Sequence, residues 1–223
     1  MPAPTRDIAA RSRRAPRPSG DDRELAILAT AERLLSEQSL AEVSVDDLAR
    51  GAGISRPTFY FYFASKDAVL LTLLDRVVAE ADAAMEGAAT AFLAAGPVTR
   101  DVVARDAWRQ AIAAYYDTFR AHRGLTLAWA EARSTNREVR ELWAGVFDGW
   151  VQRSAAAIEA ERARGAAPDG LPARDLAVAL NSMNERVLYA TLSGDGPAVA
   201  EEDVVDVLLE VWLSAVYGRP PVG

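Results

Sequence analysis

Cysteine is absent from the 223-residue chain, which excludes disulfides, thiolate metal sites and a thiol nucleophile. Histidine occurs once, at His122, beside Arg123-Gly124 at a helix end, where a cation suits the helix dipole. No metal-ligand spacing, phosphate-cradling glycine loop or nucleophile elbow is present, and these gaps together argue against an enzyme and against any cofactor. No apolar run reaches the ~18 residues of a membrane span. The N-terminus carries Arg6, Arg11, Arg13, Arg14 and Arg17 without an apolar stretch behind them, so it is not read as a signal peptide, and a cytoplasmic location is expected. Positive charge is in the minority: the net charge is −7. Its distribution is uneven, because residues 1–20 hold five Arg against Asp7 alone, and residues 67–223 carry an excess of acid.

Half the residues are apolar, the composition of an ordinary globular protein with a sizeable core. Residues 1–20, rich in Arg and Pro, are expected to be a disordered arm. Nearly everything after them has helical periodicity. Asp21 and Asp22 precede a stripe of Leu25, Leu28 and Leu35, widened by Ile27 and Leu34. Ser44 with Asp47 resembles a capping box and opens a short helix to about Arg50; Gly51-Ala52-Gly53 breaks it, with Ala52 small enough for a close approach. A second short helix follows Ser55, with Pro57 tolerated in its first turn. Ser65 caps a long helix through Leu70, Leu73, Leu74, Val77 and Val78 that fades near Gly96-Pro97. Further helices are expected at 99–121, 125–132, 136–163, 173–193 and 200–217, with His122-Arg123-Gly124, Gly165 to Pro172 and Gly194 to Pro197 as breaks. The expected fold is all-α, with about nine helices.

The stretch Val43 to Lys66 has the form of a helix-turn-helix, two helices of about two turns around a glycine turn. Val45, Leu48, Ala49, Ile54 and Phe59 are placed to pack the pair together. The second helix presents Ser55, Arg56, Thr58, Tyr60 and Tyr62, hydroxyl and guanidinium donors suited to phosphates and base edges in the major groove. Lys66, the one lysine in the chain, opens the next helix, where its ammonium suits a phosphate oxygen.

The segment Ser44 to Leu71 resembles the DNA-binding signature of TetR/AcrR-type regulators, in Asp47-Leu48-Ala49, Gly51-Ala52-Gly53-Ile54-Ser55, Tyr60-Phe61-Tyr62-Phe63 and Ser65-Lys66-Asp67. It continues at Pro18 to Ala31, Ala160 to Pro168 and Asn181 to Arg186, and weakens over 79–105. The resemblance implies a homodimeric repressor on palindromic operator DNA, released by a small molecule and controlling a neighbouring monooxygenase gene. An activator or a ligand-independent regulator of the same fold is the alternative. The domains implied are the arm 1–20, a DNA-binding domain 21–66 and a ligand-binding and dimerisation domain 67–223. Residues implied to face DNA are Ser44, Ser55, Arg56, Pro57, Thr58, Tyr60, Tyr62 and Lys66, with Phe61 where many relatives carry a polar or basic residue.

All five Trp follow the DNA-binding stretch. Trp108, Tyr115 and Phe119 share one helix face, and Trp143, Phe147 and Trp150 share another. Either stripe packs a core; two together also suit a deep apolar pocket for a lipophilic effector. Asn181, Asn184 and Glu185 fall with Leu188 on one face of an otherwise apolar helix, and burying them demands partners, in a pocket, in the core or at a dimer interface. The family resemblance places Trp108, Phe119, Trp143, Trp150, Asn181, Asn184, Glu185, Leu188 and Trp212 along the ligand channel, with Tyr115, Phe147 and Tyr189 at further lining positions. Ala177, Leu180, Val187 and Ala190, with Val204, Val207, Leu208, Val211 and Ala215, offer apolar faces on the last two helices for a two-fold dimer contact, or for packing inside one subunit.

Overall fold

The computed structural model describes residues 20–94 and 100–218, and the side chains of 20–87 and 105–218. The arm therefore lies outside the described residues save for Gly20, as do Gly96 and Pro97. Nine α-helices and no strand are found among the described residues: α1 (Gly20–Glu37), α2 (Val45–Gly51), α3 (Arg56–Tyr62), α4 (Lys66–Ala94), α5 (Arg100–Ala121), α6 (Arg123–Thr135), α7 (Arg137–Ala163), α8 (Ala173–Ser193) and α9 (Val204–Tyr217). A single 3-10 turn, Glu201–Asp203, leads into α9.

The short helices exist because their ends are capped. Ser44 accepts from the Asp47 backbone N–H while the Asp47 carboxylate accepts from the Ser44 N–H at 3.1 Å, so two orphan donors are met at once. Ser55 caps α3 through the Thr58 N–H, and its hydroxyl also lies 2.8 Å from Thr58 Oγ1. Ser65 accepts from the Ala68 N–H and starts α4. Ile27, Leu28, Ala31, Leu35, Leu48, Ala49, Phe59 and Phe63 fill the space between α1, α2 and α3, and Leu70, Leu73, Leu74 and Val77 of α4 complete it. Leu25 departs from the expected stripe: it points outward, half exposed, and Ile27 takes the inward position.

The remaining helices form a second layered body in which α4 packs along α5, α7 along α8, and α5 against α9. Two close approaches lie elsewhere than the sequence suggests. At the helix-turn-helix a tight contact lies at Gly51, where a Cβ would stand 2.3 Å from Thr30 Cγ2, while the neighbouring Ala52 is half-buried against the core. Gly124, read as a break, lies inside the first turn of α6. A Cβ there would stand 2.2 Å from the Leu35 carbonyl oxygen, so the residue lets α6 press directly on the backbone of α1.

The apolar faces of α8 and α9 divide. Of the two uses expected for them, Ala177, Leu180, Ala190, Val204 and Leu208 serve packing inside one subunit, where they are buried because α8 and α9 pack on α7, α5 and each other. Val207, Val211 and Ala215 remain on the outside, joined by Val178.

Candidate DNA-reading surface and effector cavity

The outward side of α2 and α3 carries a set of held donors. Arg56 pairs with Asp46 at 2.8 Å, reaches the Tyr60 hydroxyl at 3.4 Å, and lies over the Tyr60 ring at 5.8 Å. Its guanidinium is thus aimed before any partner arrives, and the Tyr60 contact raises its pKa further. Ser44, Ser55, Arg56, Pro57, Tyr60 and Phe61 are exposed, while Thr58 and Tyr62 are half-buried.

Lys66 is placed otherwise than expected. Its ammonium donates to Leu40 O at 2.7 Å and Val43 O at 2.9 Å. Two of its three protons thus hold the loop between α1 and α2 against the start of α4, because those carbonyls have no helical partner of their own. One proton is left for a phosphate.

The second body holds a cavity of about 270 Å³ between α4, α5, α7, α8 and α9. Its walls are mainly apolar: Met85, Trp108, Ala111, Ile112, Tyr115, Trp150, Ala157 and Trp212. Trp108 and Trp212 stack at 4.9 Å, tilted by 34°. Two amides join the lining with fixed orientations. Asn181 donates through Nδ2 to Ala177 O at 2.8 Å and Ser154 Oγ at 3.1 Å, which leaves its carbonyl as the end able to accept. Asn184, buried, accepts the Trp212 indole N–H on Oδ1 at 3.0 Å, so its NH2 group is the end left to donate. Asp82, Glu86 and Arg153 add charge to the lining; Asp82 accepts from the Trp150 indole at 2.9 Å and from Arg153 at 2.6 Å.

A second, far smaller cavity of about 30 Å³ lies beyond Tyr115, lined by Thr126, Trp129, Ala130, Arg133, Trp143, Glu185, Leu188 and Tyr189. It has room for a water molecule. Arg133 is ion-paired with Glu185 and lies 5.1 Å over the Trp143 ring. The Tyr115 hydroxyl is held well above its ordinary pKa, first by burial and then by the Glu185 charge. Between the cavities stands an aromatic wall of Tyr115, Phe119, Trp129, Trp143 and Trp150, joined by edge-on contacts of 5.4–6.1 Å.

Two family models match this chain: that of the bacterial regulatory proteins of the tetR family over residues 27–73, and that of the EthR C-terminal domain over residues 108–218. The HTH-type transcriptional regulator EthR of Mycobacterium tuberculosis is 55% identical over 209 residues, 94% of each chain. The chain belongs to the TetR family. EthR of Mycolicibacterium smegmatis is 50% identical over 96% of this chain and 94% of its own. Among solved structures, the fatty acid degradation regulator FadR of Bacillus halodurans superposes with a TM-score of 0.68 at 16% identity, covering 93% of this chain and 100% of that one. At that identity the likeness is one of fold. The TetR family is one of transcriptional regulators and not of enzymes, and this chain is a regulator of the EthR type.

Against this TetR frame, the residues expected to bind ligand separate into two groups. Trp108, Trp150, Asn181, Asn184 and Trp212 line the larger cavity, Trp143, Glu185, Leu188 and Tyr189 the smaller, and Tyr115 both. Phe119 and Phe147 line neither. Phe119 is fully buried inside the wall, enclosed by its other rings, and Phe147 packs half-buried against the core from α7. The sequence reading missed Asp82, Met85, Glu86 and Arg153, whose positions on α4 and α7 read as ordinary solvated or core sites. It also missed Trp129 and Arg133, for which the surplus of Trp was the available signal.

Proposed function

We propose that this chain is a repressor that occupies a two-fold-symmetric operator as a homodimer and leaves it when a lipophilic small molecule fills the larger cavity. The observation that carries the reading is the reach of α4. Lys66 at its start holds the loop before α2, and Asp82, Met85 and Glu86 further along line the cavity. One helix therefore touches both the DNA-reading pair and the effector site. The effector must bind one spacing of the two heads better than the other, since a ligand shifts an equilibrium only by its differential affinity.

On this reading residues 21–66 form the DNA-binding domain and 67–223 the sensor and dimerisation domain, with the five Arg of residues 1–20 adding phosphate contacts in the cytoplasm. The dimer contact uses Val178, Val207 and Val211, each about two-fifths exposed on α8 and α9. The free NH2 of Asn184 can donate to a ligand carbonyl, which favours an apolar ester, ketone or amide, and the carbonyl of Asn181 can accept only where the ligand also brings an N–H or O–H. The regulated gene on this reading is a neighbouring monooxygenase gene.

A gel-shift with the chain's own upstream DNA tests the first half. Binding is expected to weaken steeply with salt. Undiminished binding by the Arg56→Ala, Tyr60→Ala double variant overturns the assigned surface. For the second half, Trp fluorescence and release of the DNA are followed while lipophilic esters, ketones and amides are added. A library without any response leaves a ligand-independent regulator.

A further inference from the structure

Phe61 is 83% exposed, more than any other large apolar side chain among the described residues. It stands on α3, and its ring contact is edge-on to Tyr62 at 5.2 Å. Pro57, four residues earlier, is also exposed, and residues i and i+4 share a helix face. The outer surface of α3 therefore carries two parallel stripes. One is polar, Arg56 and Tyr60, tied to each other and to Asp46. The other is apolar, Pro57 and Phe61.

An apolar stripe on a DNA-facing helix has few matching groups. Phosphates and most base edges are polar, and covering them with a phenyl ring removes water from both without a return. The thymine 5-methyl is the one apolar group that base pairs display in the major groove. We propose that the Pro57–Phe61 stripe reads thymine methyl groups, with Phe61 packed on one thymine in each half-site. The proposal rests on α3 being the groove helix. Four residues of helix rise about 6 Å, so the two apolar groups are too far apart to share one methyl, and Pro57 faces a different base pair. The polar stripe beside it holds the register through phosphates or base edges, and the apolar stripe supplies discrimination. A second protein chain is a poor occupant, because two side chains offer far less than the roughly 800 Å² per partner of a stable contact.

The test begins by selecting a binding site from a random DNA library with the full-length protein. Each thymine in that site is then replaced singly by deoxyuridine, which deletes the methyl and keeps every hydrogen-bonding group. One position per half-site is expected to weaken binding about fourfold, the cost of returning one methyl-sized group to water, and both together roughly fifteenfold. In Phe61→Ala the same replacement no longer matters, and in Phe61→Leu part of the discrimination returns. Melting of Phe61→Ala stays with the parent, since the side chain is exposed and supports no core contact. Uracil effects that are the same at every thymine in the parent and in Phe61→Ala, or no methyl-sensitive thymine in the site, overturn the inference while leaving DNA binding intact. Failure to select any site overturns the reading of α3 as well.

Discussion

Gly124→Ala is the substitution for which the geometry gives the sharpest expectation. A Cβ at this position would meet Leu35 O at 2.2 Å, Leu35 C at 2.6 Å and Ser36 N at 2.8 Å, and all three are backbone atoms. Ordinary contact begins at 3.4 Å, so α6 and the end of α1 must separate by about 1.2 Å or twist apart. Overpacking of this kind costs about 1–3 kcal/mol, and rigid backbone on both sides puts the cost toward the upper end. The gain in helix propensity from Gly to Ala, at most about 1 kcal/mol, is smaller still near a helix start. The net loss is about 2 kcal/mol, which for a chain of this size lowers Tm by roughly 4–8 °C. Gly145→Ala is the control: it lies exposed inside α7 with no atom within 4 Å of its Cβ, and gains from propensity without meeting anything. It should raise Tm by roughly 2–4 °C. Both melts are read by far-ultraviolet circular dichroism. Equal effects of the two substitutions, or a Gly124→Ala melt within a degree of the parent, refute the argument from close approach.

Lys66→Met removes two charged hydrogen bonds to part-buried carbonyls and should cost about 2–4 kcal/mol in a denaturant titration. An unchanged midpoint would return Lys66 to a purely DNA-facing role. Asn184→Leu strands the Trp212 indole N–H and should cost about 1–3 kcal/mol, with a shifted tryptophan emission spectrum. Emission and stability both at parent values would contradict the bond. The Asp47 carboxyl is held below its ordinary value of 3.8 by the Ser44 side chain and backbone. Its folded-state pKa is depressed, so its contribution is in force above the unfolded value and fades as pH falls through the folded one. The stability difference between parent and Asp47→Asn should therefore shrink in acid below about pH 4, and a gap that stays constant down to pH 3 sinks the capping-box account.

What the sequence made legible and what it hid follow from the range of the forces involved. The helix-turn-helix rests on local chemistry: Ser44 with Asp47, Ser55 with the Thr58 N–H and Ser65 with the Ala68 N–H are each three residues apart, and spacing alone reveals them. Helix ends fell within a few residues of expectation for the same reason. The cavity is different. Asn181 and Asn184 stood out because amides on an apolar helix need partners, yet the partners, Ser154 on α7 and Trp212 on α9, are 27 and 28 residues away in sequence. Asp82 is an unremarked acid of a long helix until α7 brings Arg153 and Trp150 to it. Gly124 carried a true signal with two readings, a helix break or a close approach, and only the neighbouring backbone of α1 decides between them.

On the function proposed above, that same contact bears on how a filled cavity would be felt at the DNA. The points that hold the helix-turn-helix helices to the rest include the α1–α6 backbone contact at Gly124, the root of α4, where Lys66 holds the loop before α2 and Asp67 and Leu70 O accept from Asn136 and Trp129, and His122. His122 lies between two carboxylates, with Nε2 3.1 Å from Glu80 of α4 and Nδ1 3.5 Å from Glu32 of α1. Glu80 is two residues before Asp82, which the cavity exposes to its occupant. Because α1 and α6 are in backbone contact, they cannot slide smoothly past each other, and packed interfaces switch between discrete arrangements more readily than they deform. A ligand that displaces α4 at Asp82 therefore has two outcomes open to it: α4 parts from His122 while α1 and α6 stay docked, or α4 carries α1 with it and opens the Gly124 contact. His122→Gln separates the two. It keeps a donor toward one carboxylate but cannot bridge both, so it weakens release of DNA by an effector only if the α4–His122–α1 bridge carries the displacement. Effector affinity unchanged with release blunted marks the bridge as the coupling element. Release at the parent level places the coupling in the root of α4.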